Sequence, residues 1–112
     1  MQLQTPFIND GFTLDATLDA RGPYRAVAFR YRPATAEEMF EYSYTKKETG
    51  KQRANAMVAL LSKHVVSWDM ETDKGDPIPV TADSLKRVPP QQLMQMIDFV
   101  TGYAEHEADA KN

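Results

Sequence analysis

The clearest hydrophobic pattern in the chain lies between Lys51 and Asp69 and has a helical period. Apolar residues recur there at the i, i+3, i+4 and i+7 spacing that places one stripe of a helix against a core. The stripe comprises Ala54, Met57, Val58, Leu61, Val65 and Trp68. We therefore expect a core helix that ends near the single tryptophan. The β-branched Val65 and Val66 leave a second interpretation open, in which Trp68 already lies on an extended segment. In both interpretations we expect Trp68 to be largely buried.

Two stretches nearer the start of the chain alternate between apolar and polar residues, which is the period of a half-buried strand. In the first stretch the apolar side consists of Phe12, Leu14, Ala16, Leu18 and Ala20. In the second it consists of Val27, Phe29 and Tyr31. Arg21, Gly22 and Pro23 lie between the stretches and supply turn residues. The pattern predicts an antiparallel β-hairpin.

The segment after the second strand predicts a capped helix. Thr35 and Glu38 have the spacing of a capping box, in which each side chain bonds the other residue's backbone N–H. The helix should run to about Lys47, and its inner face carries Met39, Phe40 and Ser43. Tyr42 lies off that face, so we expect it to be the most exposed aromatic residue.

Loops and short helices are predicted for the C-terminal part of the chain. Residues 69–76 form a polar loop with Gly75 as its turn residue, and two prolines after it favour an extended backbone. Thr81 can cap a short helix over residues 82–88. Pro90 suits the first position of the last helix, where a missing N–H costs nothing. That helix places Leu93, Met96, Ile97 and Val100 at core spacing, followed by Tyr103.

Together these elements predict one α+β domain over residues 1–112, with an N-terminal antiparallel β-hairpin packed against a small bundle of about four helices. We expect residues 1–10 to form an extended lead-in. Residues 105–112 form a polar tail that we expect to fray. A chain of 112 residues is long enough to bury about two thirds of its unfolded surface in one modest core.

Composition narrows the classes of function. The chain has no cysteine, which excludes disulfides, thiolate nucleophiles and cysteine-ligated zinc. Its net charge of -3 gives no overall attraction to nucleic acid or anionic lipid. The longest apolar run, Ala56 to Leu61, is too short to cross a bilayer. The first residues lack the pattern of a signal peptide, so we expect a cytoplasmic protein.

No motif in the chain predicts a metal, cofactor or catalytic site. Acidic residues alternate from Asp69 onwards as in an EF-hand, but Lys74 occupies the glycine position and Val80 the position of the bidentate glutamate. The two histidines, His64 and His106, belong to no metal-binding pair. We therefore expect that the protein is not an enzyme and binds no cofactor.

A basic ribbon on the second strand supports an alternative function. It consists of Arg25, Arg30 and Arg32, with Lys46, Lys47, Lys51 and Arg53 nearby in the sequence. Such a ribbon would suit a small DNA-binding or regulatory domain, because some DNA-binding proteins read DNA with β-ribbons. The outer face of a half-buried hairpin also needs charges for solubility, and the acidic net charge favours this simpler explanation.

The second half of the chain has a characteristic order of features. The stretch WDMETDKGDPIPVTADSLKRVPPQQLMQMI contains a Trp-Asp pair, an acidic loop with glycine, an extended piece with two prolines, a Thr-capped short helix and a Pro-Pro pair before the last helix. We call its marker positions the signature residues: Trp68, Asp69, Gly75, Pro77, Pro79, Thr81, Leu85, Pro89 and Pro90. Upstream, FRYRPATAEEMFEY joins a strand to a capped helix. Over most of residues 25–100 this order resembles the tail assembly chaperones of long-tailed bacteriophages and prophages.

The resemblance implies a non-catalytic protein of the bacterial host cytoplasm that binds the tape measure protein. In that family the chaperone keeps this long helical partner soluble until tail tube subunits polymerise around it. The tail tube protein is a second implied partner, and a homo-oligomer stays open. Neither nucleic acid nor a membrane is an expected partner. Tyr42 is the leading candidate for partner contact, as an aromatic residue off its helix's apolar face. A structural tail or connector protein, which would remain in the virion, is a further alternative.

Overall fold

The computed structural model describes residues 5–44 and 49–102, without the side chain of Tyr44. In chain order the elements are β1 Leu14–Leu18, β2 Val27–Tyr31, α1 Ala36–Tyr44, α2 Gly50–His64, β3 Val65–Trp68, α3 Ala82–Leu85 and α4 Pro90–Thr101. The strands form one antiparallel sheet in the order β1-β2-β3, so the predicted α+β class is confirmed. The predictions about Tyr103, His106, the tail over 105–112, Lys46 and Lys47 lie outside the described residues.

The predicted hairpin is present. β1 and β2 pair from Leu14 opposite Tyr31 to Leu18 opposite Val27, and buried and exposed residues alternate along β2. The turn between the strands is closed by backbone hydrogen bonds between Arg21 and Tyr24 in both directions. The predicted first strand is too long, because β1 spans only Leu14–Leu18. Residues 19 and 20, which lead into the turn, are exposed.

The interpretation as one helix from Lys51 to the tryptophan is wrong, because its last part is a strand. α2 ends at His64, and β3 pairs with β2, with Val65 opposite Tyr31 and Trp68 opposite Phe29. Val66 lies at a bulge in this pairing and is 44% exposed. The extended interpretation of Trp68 is thus confirmed, because the β-branched residues prefer the free edge of β2 to a further helical turn.

One core lies between the inner face of the sheet and helices α2, α3 and α4. The aromatic rings of Phe29 and Tyr31 on the sheet pack against Phe99 of α4, with centroids 5.8 and 6.3 Å from the Phe99 ring. The predicted core positions of the last helix are all buried. The buried apolar residues are Leu18, Val27, Phe29, Tyr31, Val58, Leu60, Leu61, Val65, Leu85, Val88, Leu93, Met96, Ile97 and Val100.

Helix α1 begins with the predicted capping box, because Thr35 N–H donates to Glu38 Oε1 at 2.9 Å and Glu38 N–H donates to Thr35 Oγ1 at 3.3 Å. The prediction that Phe40 faces the core and Tyr42 faces solvent is wrong. Phe40 is 50% exposed, whereas Tyr42 is half-buried and packs against the core. Both sides of this short helix carry an aromatic residue, so its period alone does not show which side meets the core. Ser43, also predicted inside, is exposed.

Within the described ranges, no helix has the length and apolar character needed to cross a membrane.

Candidate functional site

The first two signature residues fix the end of the sheet. The indole N–H of Trp68 donates to the carbonyl of Ile78 at 2.6 Å, and the partly buried ring packs against the core. Asp69 continues the pairing with β2, because its N–H donates to the Ala28 carbonyl and its Oδ1 accepts from the Ala28 N–H, both at 3.1 Å. The Arg25 guanidinium donates to the Asp69 carbonyl at 2.6 Å and contacts Oδ1 at 3.4 Å. The Trp-Asp pair therefore ends the sheet and anchors the loop that follows.

The acidic loop after Asp69 folds back on itself. Thr72 Oγ1 accepts from the N–H groups of Lys74 and Asp76, and the Gly75 N–H donates to the Thr72 carbonyl at 2.8 Å. Gly75 has a φ of 84°, which glycine adopts with little strain. The described residues contain no group of three or more potential metal ligands. The turn brings Ile78 back beside Met70, where the Ile78 N–H donates to the Met70 carbonyl at 3.0 Å.

The remaining signature residues join the loop to α3 and α4. Thr81 caps α3 together with Ser84, and the Ser84 hydroxyl also donates to the Pro79 carbonyl at 2.6 Å. α3 ends at Leu85 instead of continuing to Val88, and Leu85 is fully buried. Pro89 and Pro90 start α4, with Pro90 at its first position as predicted. The signature residues thus help to shape the segment from β3 to α4.

This segment borders two adjoining open cavities, of about 190 and 510 Å³, that share Met70, Ile78, Val88 and Pro89. We call them together the loop groove. Trp68 lines the larger cavity, and Tyr24, which is 50% exposed, lines the smaller one. Charged residues of both signs, Arg25, Glu71, Asp83 and Arg87, stand around the apolar shared part. The arrangement has the apolar centre and polar rim that are typical of protein interfaces.

A second groove, of about 230 Å³, lies between α1 and α2 and includes Tyr42. Burial raises the pKa of the Tyr42 phenol above its usual 10.0, and the negative charge of Asp98 on α4 adds to the effect. Tyr42 is not the most exposed aromatic residue, because Phe7 is 67% exposed and Tyr24 and Phe40 are 50% exposed. Its contact with a partner stays a prediction. The groove is lined by Glu38, Glu41, Tyr42, Ala56, Ala59, Leu60, Lys63 and His64.

The buried His64 joins three elements at the end of this second groove. Its Nδ1 lies 2.9 Å from the Arg32 carbonyl, which can only accept a hydrogen bond, so Nδ1 carries a proton. Its Nε2 lies 3.1 Å from Glu38 Oε2 but makes no well-directed hydrogen bond there. The two side chains form an ion pair only when the imidazole is charged. His64, the last residue of α2, therefore connects this helix to the end of β2 and to helix α1.

Glu38 gives this connection a dependence on pH. The hydrogen bond from the Thr35 N–H is the largest cause that lowers the pKa of the Glu38 carboxyl below its usual 4.5, and the Thr35 hydroxyl and His64 lower it further. Because the folded-state pKa is lowered, Glu38 stabilises the fold above pH 4.5, and this contribution is lost as the pH falls through the lowered value.

We expect Glu38→Gln to be less stable than the natural chain at pH 7, and the difference to disappear as the pH falls below the Glu38 pKa. The reason is that the natural carboxyl becomes neutral in that range, as the amide already is. Urea denaturation at a series of pH values from 7 to 3 measures the difference. A stability gap that stays constant over this range would contradict the assignment.

The basic ribbon is partly neutralised by acidic residues of the same chain. Arg30 Nε donates to Asp15 Oδ1 at 2.9 Å, and this hydrogen bond and the charge of Asp15 raise the pKa of Arg30. Arg25 pairs with Asp69. Arg25 and Arg30 lie on or near β2 as predicted, and each contacts a carboxylate of the same chain.

Comparison of the chain with protein-family models, curated proteins and solved structures found no match. The functional proposal therefore rests on the geometry described above and on the order of the signature residues. The sequence alone did not indicate the loop groove or the Glu38–His64 contact. In both, the residues that meet are distant in the chain, and no local period marks them.

Proposed function

We propose that this chain is a non-catalytic tail assembly chaperone that binds the tape measure protein in the bacterial host cytoplasm and keeps it soluble during tail assembly. The observation that carries the proposal is the loop groove. The same residues that produce the resemblance shape the segment that borders this groove, from the Trp68 hydrogen bond to Ile78 through to the start of α4 at Pro90.

The loop groove has properties that suit an amphipathic helix. Its apolar shared part can receive the side chains that such a helix presents at i, i+3, i+4 and i+7. Met70 adds adaptability, because an unbranched thioether side chain fits irregular partners. A long helical protein that exposes an apolar face aggregates unless that face is covered. Covering it with the loop groove is the physical action that we propose.

A non-catalytic role is consistent with the contacts that the buried His64 makes. His64 contacts the Arg32 carbonyl and Glu38, and its groove shares no lining residue with the loop groove. The role of His64 is explained by its connection of α2 to α1 and to the end of β2. The alternative of a DNA-binding ribbon receives less support, because Arg25 and Arg30 are both paired with carboxylates.

Co-expression with the tape measure protein of the same phage or prophage tests the proposal. We expect the natural chain to raise the soluble yield of that protein and to co-purify with it. Ile78→Glu should reduce co-purification by about tenfold or more, because it places a carboxylate in the apolar part of the groove. Val66→Glu is the matched control, since Val66 is exposed on β3 and does not line the groove.

Circular dichroism and thermal melting of both variants must first show that they are folded. Equal co-purification by a folded Ile78→Glu variant and the natural chain would contradict the assignment to the loop groove. Mass spectrometry of purified virions distinguishes the remaining alternative. A chaperone should be absent from the particles, whereas a structural tail or connector protein should be present in them.

A further inference from the structure

Helix α4 carries a polar residue on its buried face. Gln92 lies four residues before Met96 and eight before Val100, so the three share one stripe of the helix. Met96 and Val100 are fully buried, and Gln92 is only 7% exposed. An apolar side chain is buried there at no loss of hydration, whereas a side-chain amide that gives up water needs a hydrogen-bond partner. A glutamine at this position therefore breaks the pattern of the stripe, as residues of functional sites do.

The usual structural role of a glutamine at this place in a helix is not available to Gln92. It is the third residue of α4, where a glutamine side chain can accept a hydrogen bond from the backbone N–H of the N-cap residue. The N-cap of α4 is Pro89, which has no N–H to donate, and no side-chain hydrogen bond caps this helix. Among the described residues, none forms a hydrogen bond with the Gln92 side chain.

The Gln92 side chain lines the smaller cavity of the loop groove. It borders this cavity, of about 190 Å³, together with Ile78 and Val88. Inside the described ranges, the one side-chain polar atom that is both inaccessible and unpaired is His64 Nε2. The unpaired amide of Gln92 is therefore accessible to solvent, and the cavity is where it meets water. A partner that fills the cavity displaces this water and must replace its hydrogen bonds.

We propose that Gln92 is a specificity-determining residue of the loop groove, and that the helix bound there presents one uncharged polar side chain within its apolar stripe. Asparagine, glutamine, serine and threonine fit, because the Gln92 amide can both donate and accept. An ionised side chain would lose its hydration opposite a neutral amide, and an apolar one would leave the amide unpaired. This assignment rests on the proposed function and adds to it the chemistry of one partner residue.

The melting temperature of Gln92→Met tests the assignment in the isolated chain. Methionine is unbranched like glutamine and has a similar helix propensity, so it retains the packing and removes the amide. Because no hydrogen bond within the chain is lost, the variant should melt at or above the temperature of the natural chain. Gln95→Met is the matched control, since Gln95 is partly buried one turn later on α4 and lines neither cavity of the groove. A lower melting temperature for Gln92→Met than for Gln95→Met would assign a structural role to the amide and overturn the proposal.

The complex with the tape measure protein of the same phage or prophage tests recognition. Limited proteolysis of the co-purified complex, followed by mass spectrometry, identifies the segment that stays bound. A synthetic peptide of this segment is then compared by titration calorimetry with a variant peptide that has leucine in place of the polar residue of its stripe. The natural chain and Gln95→Met should bind the polar peptide about tenfold more tightly, and Gln92→Met should lose this preference.

The outcomes separate this inference from the proposed function. If the natural chain co-purifies with the tape measure protein but Gln92→Met keeps the full preference, the role of Gln92 is wrong and the proposed function stands. A bound segment without an uncharged polar residue in its apolar stripe has the same meaning. Equal weakening of both peptides by Gln92→Met would also overturn the proposal, because the amide would then contact the peptide backbone. Absence of co-purification with the natural chain would overturn both.

Discussion

Met96→Ala should lower the free energy of unfolding by about 2 to 5 kcal/mol. The Met96 side chain on α4 is fully buried in the core between the sheet and the helices. Truncation to alanine removes its packing contacts and leaves a cavity that the surrounding side chains fill only in part. Urea denaturation followed by circular dichroism measures the loss.

The same helix contains a matched control for this prediction. Met94 is 57% exposed on α4, so Met94→Ala makes the same chemical change on the solvent side. We expect a change of no more than about 0.5 kcal/mol there. The effect on helix propensity is the same at both positions, and the difference between the variants therefore reports burial. Similar losses at Met94 and Met96 would show that α4 is packed in a different orientation.

Trp68→Ala should lower the free energy of unfolding by about 3 kcal/mol, near the lower end of the range for a buried aromatic residue. The hydrophobic pattern predicts a largely buried ring, but the structure shows a partly buried one, and the reduced burial lowers the expected loss. The variant also removes the hydrogen bond from the indole N–H to the Ile78 carbonyl. An unchanged melting temperature would refute the role of Trp68 as a packing residue.

Trp68→Phe separates packing from hydrogen bonding at this position. It retains most of the ring but removes the donor, and we expect a loss of about 1 kcal/mol from the missing bond in addition to a small packing term. Ile78 borders the loop groove, so the same bond also positions the groove wall. The free energies of unfolding of the natural chain, Trp68→Ala and Trp68→Phe therefore separate the contribution of the ring from that of the hydrogen bond.

Much of the fold could be predicted from local patterns. The alternation along β2 predicts a strand with one buried face, and Val27, Phe29 and Tyr31 form that face in the structure. The Thr35–Glu38 spacing predicts the start of α1, and Pro90 predicts the start of α4. These predictions succeed because strand period, capping and proline geometry depend on residues a few positions apart.

The candidate sites were predictable only in part. The signature residues lie where the segment from β3 to α4 is shaped, but nothing in their order shows that Met70 and Val88 meet across a groove. Tyr42 lies in a groove, whereas its selection as a partner contact depended on the prediction that its side chain is exposed. The contact of His64 with Glu38 joins two helices, and neither residue's neighbours in sequence indicate it.

Neighbouring residues are enough to predict the strand alternation, the caps at Thr35 and Thr81 and the core face of α4, because each follows from local geometry. The end of α2, the inward side of α1 and the positions of the grooves follow instead from tertiary packing. After His64 the chain leaves the helix because β2 offers unpaired backbone groups to Val65–Trp68. The inward side of α1 is set by the surfaces of α2 and α4 that receive it. Such choices depend on free energies of contact between distant segments, which no local period in the chain records.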